Sequence, residues 1–478
     1  MNTVRTEIAI IGAGTAGLNA RREADKAGKA HVLIEGGPYG TTCARVGCMP
    51  SKLLIVAADA AHEVASAGTF GVRVPATWSV DGKAVMARVR AERDRFAGLV
   101  VESTEALPAA NRLRGHARFV DAQTLQVDDH TRVEAQAIVI ATGSSPVIPP
   151  PYDRLRRHLL VNDDLFALDD LPRSVAVVGT GIIGLELGQA LHRLRVEVTF
   201  FSPSDALGPL TDPTLKESAH AVFADGLDLQ LRSQVNAISE DEGGVTIDWT
   251  DAEGAARTRR FAKVLVAAGR RPNVGGLDLA RAGIPLGERG QPLFDPRTGQ
   301  CGDTPVFIAG DASGHIPLLH EASDEGRIAG ANAARYPRVT AQVRRTPLAV
   351  VFTDPQMAMV GTPHAALEAG QVEIGEARFD DQGRARVMAR NRGVVRLYAR
   401  RQCCTLIGAE LFGPRAEHMA HLLAWAVQQR MTVQQALAMP FYHPVLEEGL
   451  RTALRDLADR LKVTGSCPPQ DFALAPGA

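Results

Sequence analysis

The sequence predicts an α/β chain, with two Rossmann-like dinucleotide-binding domains and an α+β C-terminal domain. Three observations carry that expectation. A strand, a glycine-rich turn, a helix and a second strand follow one another in "EIAIIGAGTAGLNARREADKAGKAHVLIEGG". The same order returns in "SVAVVGTGIIGLELGQALHRLRVEVTFFS". From about residue 346 the texture changes to strand pairs and shorter helical stretches.

In the first unit, residues 7–11 read as a short buried strand, and Gly12, Gly14 and Gly17 make the turn. Glycines there permit a tight turn and let the backbone approach a pyrophosphate, while the following helix offers unpaired N–H groups. Glu35 ends the second strand about twenty residues on, in register to accept from ribose hydroxyls. In "AIVIATGSSPVIPPP" an apolar strand meets Thr142 and Gly143, and a proline-rich extended segment follows. It reads as a crossover between domains.

In the second unit, Gly179, Gly181 and Gly184 repeat the turn and imply a second dinucleotide site. Ser202 stands where an acid would favour NAD, and no arginine adjoins it in the sequence to hold a 2′-phosphate. NAD and NADP therefore both stay open. "VLVAAGRRPN" reads as a strand with a turn, and "VFIAGDASG" as a strand ending in Gly310-Asp311. An aspartate at the carboxyl end of such a strand suits a ligand hydroxyl; a plain turn aspartate fits equally. Beyond residue 346, "LAVVFTDPQMAMVG" and "GVVRLYARRQCCTLIGAELFG" carry hairpin signals. "AEHMAHLLAWAVQQR" and "TVQQALA" have helical apolar spacing.

A chain of 478 residues is too long for one ordinary core. Its formal charge of −1 supplies no basic field, and aromatics at 5% supply no stacking platform, so nucleic acid is not an expected partner. The N-terminus has no signal-peptide pattern, and no apolar stretch is expected to reach the ~20 residues of a membrane span. The cytoplasm is the expected compartment. Six cysteines are too sparse for a disulfide scaffold.

Two of them stand close together, Cys43 and Cys48 in "TTCARVGCMPSK". Zinc would want a second pair at ligand spacing, and adjacent Cys403 and Cys404 do not offer it. Inert buried thiols and a redox-active disulfide are the other readings. On an undistorted helix, Cα atoms five residues apart lie ~8–9 Å from each other, beyond the ~7 Å a disulfide tolerates. A bonded pair would thus need a distorted segment, which Gly47 permits. Arg45 or Lys52 would favour a thiolate.

With these residues in view, the chain resembles the flavin-dependent pyridine nucleotide–disulfide oxidoreductases. The match runs in that family's order through "GAGTAG" and Glu35, "CARVGCMPSK", "ATGSSP", "GTGIIGLE", "AAGRRPN", "IAGDASG" and "FYHPVLEEG". It implies an FAD-binding domain over 1–147 and 273–345, an NAD(P)-binding domain over 148–272, and an interface domain over 346–478. Gly12, Gly14, Gly17 and Glu35 would bind the ADP half of FAD, and Asp311 its ribityl chain. Thr142 and Gly143 would lie near the flavin. Gly179, Gly181 and Gly184 would hold the pyrophosphate of the nicotinamide cofactor. Cys43 would meet substrate, and Cys48 would stand against the isoalloxazine.

Lys52 and Glu186 would pair near flavin N5, and His443 would be the acid–base, oriented by Glu448. Pro444 pushes His443 to extended backbone ahead of a helix expected to start there. In this family the histidine comes from the partner subunit, which implies a homodimer. Pro-Ser-Lys after the pair and the long helical tail most resemble dihydrolipoamide dehydrogenases, with NAD as acceptor and a lipoyl-bearing protein as partner. A related NADPH-dependent disulfide or metal-ion reductase, or a flavoprotein electron-carrier subunit, are the alternatives left open. Thr41 and Arg45 depart from the family's usual glycine and asparagine. Cys403 and Cys404 resemble the vicinal pair of mercuric reductases but read as part of a hairpin, and Cys467 stands alone.

Overall fold

The computed structural model describes residues 2–288 and 290–462; Cys467 lies outside that range. The first unit is built on β1 (Asn2–Ile11), followed by α1 (Thr15–Lys26) and β2 (His31–Glu35). Two helices come next, α2 (Thr42–Val46) and α3 (Cys48–Ser66), and then α4 (Gly82–Glu105). β3 (Arg112–Arg114), β4 (Ala117–Asp121), β5 (Thr124–Val127) and β6 (Thr131–Ile140) complete a sheet of order β3-β2-β1-β6-β5-β4. β1 runs parallel to β2 and β6, and its end, Ile8 to Ile11, is buried. Strands covered on both faces in this way read as unbroken apolar runs.

β7 (Ser144–Pro146) leads out of this unit. The second unit comprises β8 (Leu159–Leu160), α5 (Asn162–Leu165), β9 (Ser174–Val178), α6 (Ile182–Arg193) and β10 (Glu197–Phe201). α7 (Pro213–Ala224) and β11 (Asp228–Gln230) follow. β12 (Gln234–Asp241), β13 (Gly244–Thr250) and β14 (Ala256–Phe261) form a separate antiparallel sheet. β15 (Lys263–Val266) then completes a parallel sheet of order β11-β10-β9-β15-β8. β16 (Arg270–Pro272) pairs antiparallel with β7, so the excursion closes where it opened.

Back in the first unit, β17 (Val306–Ile308) adds in parallel beside β6, and α8 (Leu319–Ala333) lies across α1. The crossing is tight because Gly326 and Gly330 have no side chain: a Cβ would fall 2.3 Å from the Ala16 oxygen and 2.5 Å from the Ala20 Cα. The C-terminal part contains β18 (Leu348–Val351), β19 (Gln356–Gly361), β20 (Val372–Arg378), α9 (Gly383–Val387), β21 (Val394–Arg400) and β22 (Leu406–Gly413). Its antiparallel sheet has the order β18-β19-β22-β21-β20. α10 (Ala416–Gln428) covers β19 and β22; α11 (Val433–Leu437) leads to α12 (Glu448–Arg460), which covers β20 and β21.

α3 sits where all three parts meet. Leu54 and Ala58 share one core with Met86 and Val89 of α4, Leu185 and Leu191 of α6, and Met357 and Phe412 of the C-terminal sheet. This corrects one expectation from the sequence. The stretch Thr42–Phe70, 29 residues, holds an 18-residue window of mean hydropathy 1.2, long and apolar enough by composition to cross a membrane. Here its apolar residues serve the junction between units, and Lys52 and Asp59 along it make ion pairs to α6.

The C-terminal sheet is locked to the second unit through Asp212, which is fully buried. Its carboxylate accepts from Arg396 Nη1 at 2.8 Å and the Tyr398 hydroxyl at 3.0 Å, and it caps α7 by accepting from Thr214 N. Removing one partner of a buried charged pair costs about 3–5 kcal/mol. Asp212→Ala is expected to lower the unfolding free energy by a corresponding amount, read by urea unfolding. An unchanged midpoint would show that the lock carries no stability.

Candidate active site

The segment that carries Cys43 and Cys48 is a broken helix. α2 ends at Val46, Gly47 takes φ −126° and ψ −117°, and α3 begins at Cys48. Across the break the two thiols interact, each shifting the other's titration, and both are free. Glycine is favoured by space. A Cβ at Gly47 would lie 3.1 Å from the Thr42 oxygen and 3.2 Å from the Cys43 Cα. The segment starts at Thr41, whose φ of 58° and ψ of 150° lie in a region that β-branched residues avoid. Its Oγ1 accepts from Ala44 N at 3.3 Å and caps α2, an N-cap bond that glycine cannot make.

The two thiols titrate as a pair with opposite tendencies. The Cys43 thiol donates to Cys48 and brings Cys48 down to about 7, with the Lys52 ammonium acting in the same direction. That hydrogen bond and burial push Cys43 up. Lys52 Nζ lies 2.6 Å from Glu186 Oε2, joining α3 to α6, and sits 4.3 Å above the centre of the Phe352 ring. The other oxygen of buried Glu186 accepts from Phe352 N at 2.8 Å. The first unit, the second unit and the C-terminal sheet thus meet on one ammonium.

The two glycine-rich turns are built alike. A Cβ at Gly12 would strike the Ala141 oxygen at 2.3 Å, and one at Gly179 the Ala267 oxygen at 2.5 Å. At Gly17 and Gly184 it would strike the Gly12 and Gly179 oxygens at 1.9 Å and 2.0 Å. At Gly14 and Gly181 it would meet nothing within 4 Å. Each turn therefore has two glycines closing strand on helix, and one opening a bare backbone face at the helix start, where a pyrophosphate fits.

The first turn leads to Glu35, whose oxygens accept from Ala13 N at 2.8 Å and Gly37 N at 2.7 Å. One acceptor site on each oxygen stays free for ribose hydroxyls. Thr142 Oγ1 is buried with no partner, beside Gly143 at φ 69°. Asp311 Oδ2 accepts from Ser144 Oγ at 2.6 Å in the turn after β17. An unpartnered hydroxyl and a half-used carboxylate at one end of the bare turn fit FAD.

His443 and Glu448 form a dyad of their own. His443 Nδ1 lies 3.1 Å from both Glu448 oxygens, of which Oε2 also accepts from Val445 N. These donors hold the Glu448 carboxyl below its ordinary range. Nδ1–H donation leaves Nε2 as the free base. The helix expected at Pro444 starts only at Glu448, after a cis His443–Pro444 bond and a turn. The imidazole is 79% exposed, and among the described residues no hydrogen bond or ion pair joins the dyad to the cysteine segment.

Cys403 and Cys404 occupy the turn between β21 and β22, with Cys403 exposed. Among the described residues, no group of three or more His, Cys, Asp or Glu could hold a metal ion. Two residues escaped the sequence reading. Arg232, exposed at φ 50°, donates its backbone N–H to the Ser204 oxygen at 3.2 Å, which brings an arginine to the ribose end of the second unit. Asn162 reaches the Val46 carbonyl from α5. Neither lies in a motif; each approaches across strands or from another unit, so sequence neighbourhood held no signal for them.

Residues 6–326 match the family described as pyridine nucleotide-disulphide oxidoreductase, and residues 348–454 match its dimerisation domain. Dihydrolipoyl dehydrogenase of Bacillus subtilis is 29% identical over 94% of this chain and 97% of its own. Mercuric reductase of Shigella flexneri is 31% identical over 96% and 82%. Among solved structures, LpdA of Mycobacterium tuberculosis is 28% identical at TM-score 0.79, covering 95% of this chain and 99% of its own. The HOCl-induced flavoprotein disulfide reductase RclA of Escherichia coli, at 22% identity, TM-score 0.79 and coverage of 94% and 99%, shares the fold.

The Cys48 thiolate should be populated above about pH 7 and lost below it. Lys52→Met removes the neighbouring cation and should move the pH profile of iodoacetamide alkylation upward by about one pH unit. A profile unmoved by the substitution would show that Lys52 does not act on the thiolate.

Proposed function

The chain belongs to the pyridine nucleotide-disulphide oxidoreductase family, and we propose that it oxidises dihydrolipoyl groups on a partner protein, with NAD⁺ as the final acceptor. One observation carries the proposal: two free thiols flank a glycine break between α2 and α3, one of them favoured as a thiolate beside the Lys52–Glu186 pair. Likeness to dihydrolipoyl dehydrogenases over most of the chain supports the substrate. The family uses FAD and a nicotinamide dinucleotide, which suits the two matching glycine turns. Sparse cysteines around one reactive pair are in keeping with a reducing compartment, and the cytoplasm is proposed.

His443 Nε2 takes the proton of the first substrate thiol, with Glu448 stabilising the imidazolium. The thiolate attacks Cys43 Sγ of the oxidised pair. A substrate–Cys43 disulfide forms, the Cys43–Cys48 bond breaks, and Cys48 leaves as thiolate. The second substrate thiol then attacks the substrate sulfur of the mixed disulfide. A cyclic substrate disulfide departs, and Cys43 keeps that thiol's proton. Two electrons now reside on the pair, and bound FAD supplies the chemistry that carries them on to the nicotinamide. The exposure of His443 and the dimerisation domain that contains it support a site completed across a homodimer.

A second reading rests on Arg232. Among the described residues its guanidinium has no hydrogen bond or ion pair, and Ser202 offers no carboxylate against a 2′-phosphate. This favours NADP(H) and hence flow toward reduction of a different disulfide. On this reading, Arg232→Ala should lose roughly tenfold in NADP⁺ affinity and leave NAD⁺ affinity unchanged, measured by calorimetry. Equal losses for both would remove it.

The deciding experiment is anaerobic titration of the FAD-loaded protein with dihydrolipoamide, and separately with NADH and NADPH. A long-wavelength charge-transfer band with dihydrolipoamide, discharged by NAD⁺, is the expected result. A band with NADPH and none with dihydrolipoamide would overturn the substrate. His443→Ala should lower dihydrolipoamide turnover ~10²–10⁴-fold. A change within fivefold would remove its role as the base.

A further inference from the structure

We infer that Asn162 is a positioning residue for the redox segment, holding the stretch between Cys43 and Cys48 in register with the flavin-anchoring aspartate through Arg270. The inference rests on the thiol relay proposed above. Asn162 is buried. Its Nδ2 donates to the Val46 oxygen at 2.7 Å and to Asp163 Oδ1 at 2.9 Å, and its Oδ1 accepts from Arg270 Nη1 at 3.3 Å. A guanidinium only donates and a carbonyl only accepts, so the amide has one possible orientation.

Val46 is the last residue of α2, and the carbonyls at a helix end have no partner within the helix. The amide satisfies this one. It thereby fixes the carbonyl immediately before Gly47, the residue whose turn sets the path from Cys43 to Cys48. Beyond Arg270 the chain of bonds continues. Its Nε and Nη2 donate to the Ser144 Oγ and oxygen at 2.8 Å and 2.7 Å, and Ser144 Oγ donates to Asp311 at 2.6 Å. An unbroken series of hydrogen bonds thus runs from the disulfide loop to Asp311.

Two sequence departures meet this latch. Arg45 and Arg270 both bear on the Asp163 carboxyl, opposing the upward push of burial. Thr41 holds the other end of α2 by its cap. The segment between the sulfurs is therefore held from both ends, and the second unit supplies one of the holds.

The test uses Asn162→Asp and Asn162→Ala as FAD-loaded protein, reduced anaerobically with dithiothreitol. Asn162→Asp keeps the shape and removes the donor, so it decides the matter should Asn162→Ala fold poorly. Two quantities are read: the long-wavelength charge-transfer absorbance at equal FAD content, and the iodoacetamide alkylation rate of Cys43 by mass spectrometry. The absorbance should fall by at least half, and the rate should rise about fivefold, as loss of one buried hydrogen bond implies. Wild-type values for both in Asn162→Asp would overturn the inference. Dithiothreitol keeps these readouts independent of the natural substrate. Failure of dihydrolipoamide to reduce the wild type would sink the substrate alone. If the wild type shows no band, the relay reading fails and the alkylation rate alone decides the role of Asn162.

Discussion

Two sulfurs five residues apart cannot bond along a continuous helix, and the structure around them is organised by that limit. Gly47 breaks the helix, and it lacks the Cβ that would press on the Cys43 Cα at 3.2 Å. A break inside a helix frees carbonyls and loosens the chain. Here the Val46 carbonyl at the break is taken up from outside by the Asn162 amide, while the Thr41 cap holds the far end of α2. The strained backbone at Thr41 is of the kind that persists only when its surroundings over-determine it.

The second dependence is on α3. Because its apolar residues enter a core shared by all three parts of the chain, the cysteine at its first position cannot shift without disturbing them. Polar contacts follow the same plan. Glu186 binds Lys52 with one oxygen and the Phe352 amide with the other, so the charge that favours the Cys48 thiolate is anchored in two further units. A pair of this kind tunes the thiol because it is partly withdrawn from water; on an open surface it would be worth little.

The dinucleotide turns show the opposite economy. Each needs only a local backbone shape, so three glycines at fixed spacing suffice, and the two turns come out nearly superimposable in what they exclude and what they leave open. The His443–Glu448 dyad is equally local, with five residues from one to the other. The imidazole faces outward, and among the described residues no hydrogen bond or ion pair ties it to the cysteine segment.

These differences explain what could be read from the chain alone. The strands around Gly12 and Gly179, the hairpins after residue 346, the cysteine pair and the His-Glu spacing are short-range patterns, and a short-range pattern is written in consecutive residues. Helix boundaries were less legible: α12 waits until Glu448 because the turn after Pro444 must first bring that carboxylate back to His443 and Val445. Arg232 beside Ser204, Asn162 on Val46, and the placement of an apolar α3 at a junction between three units all depend on strands or helices far apart in sequence. Only the packed tertiary structure could decide them, because a hydrogen bond between distant segments leaves no periodicity in either one.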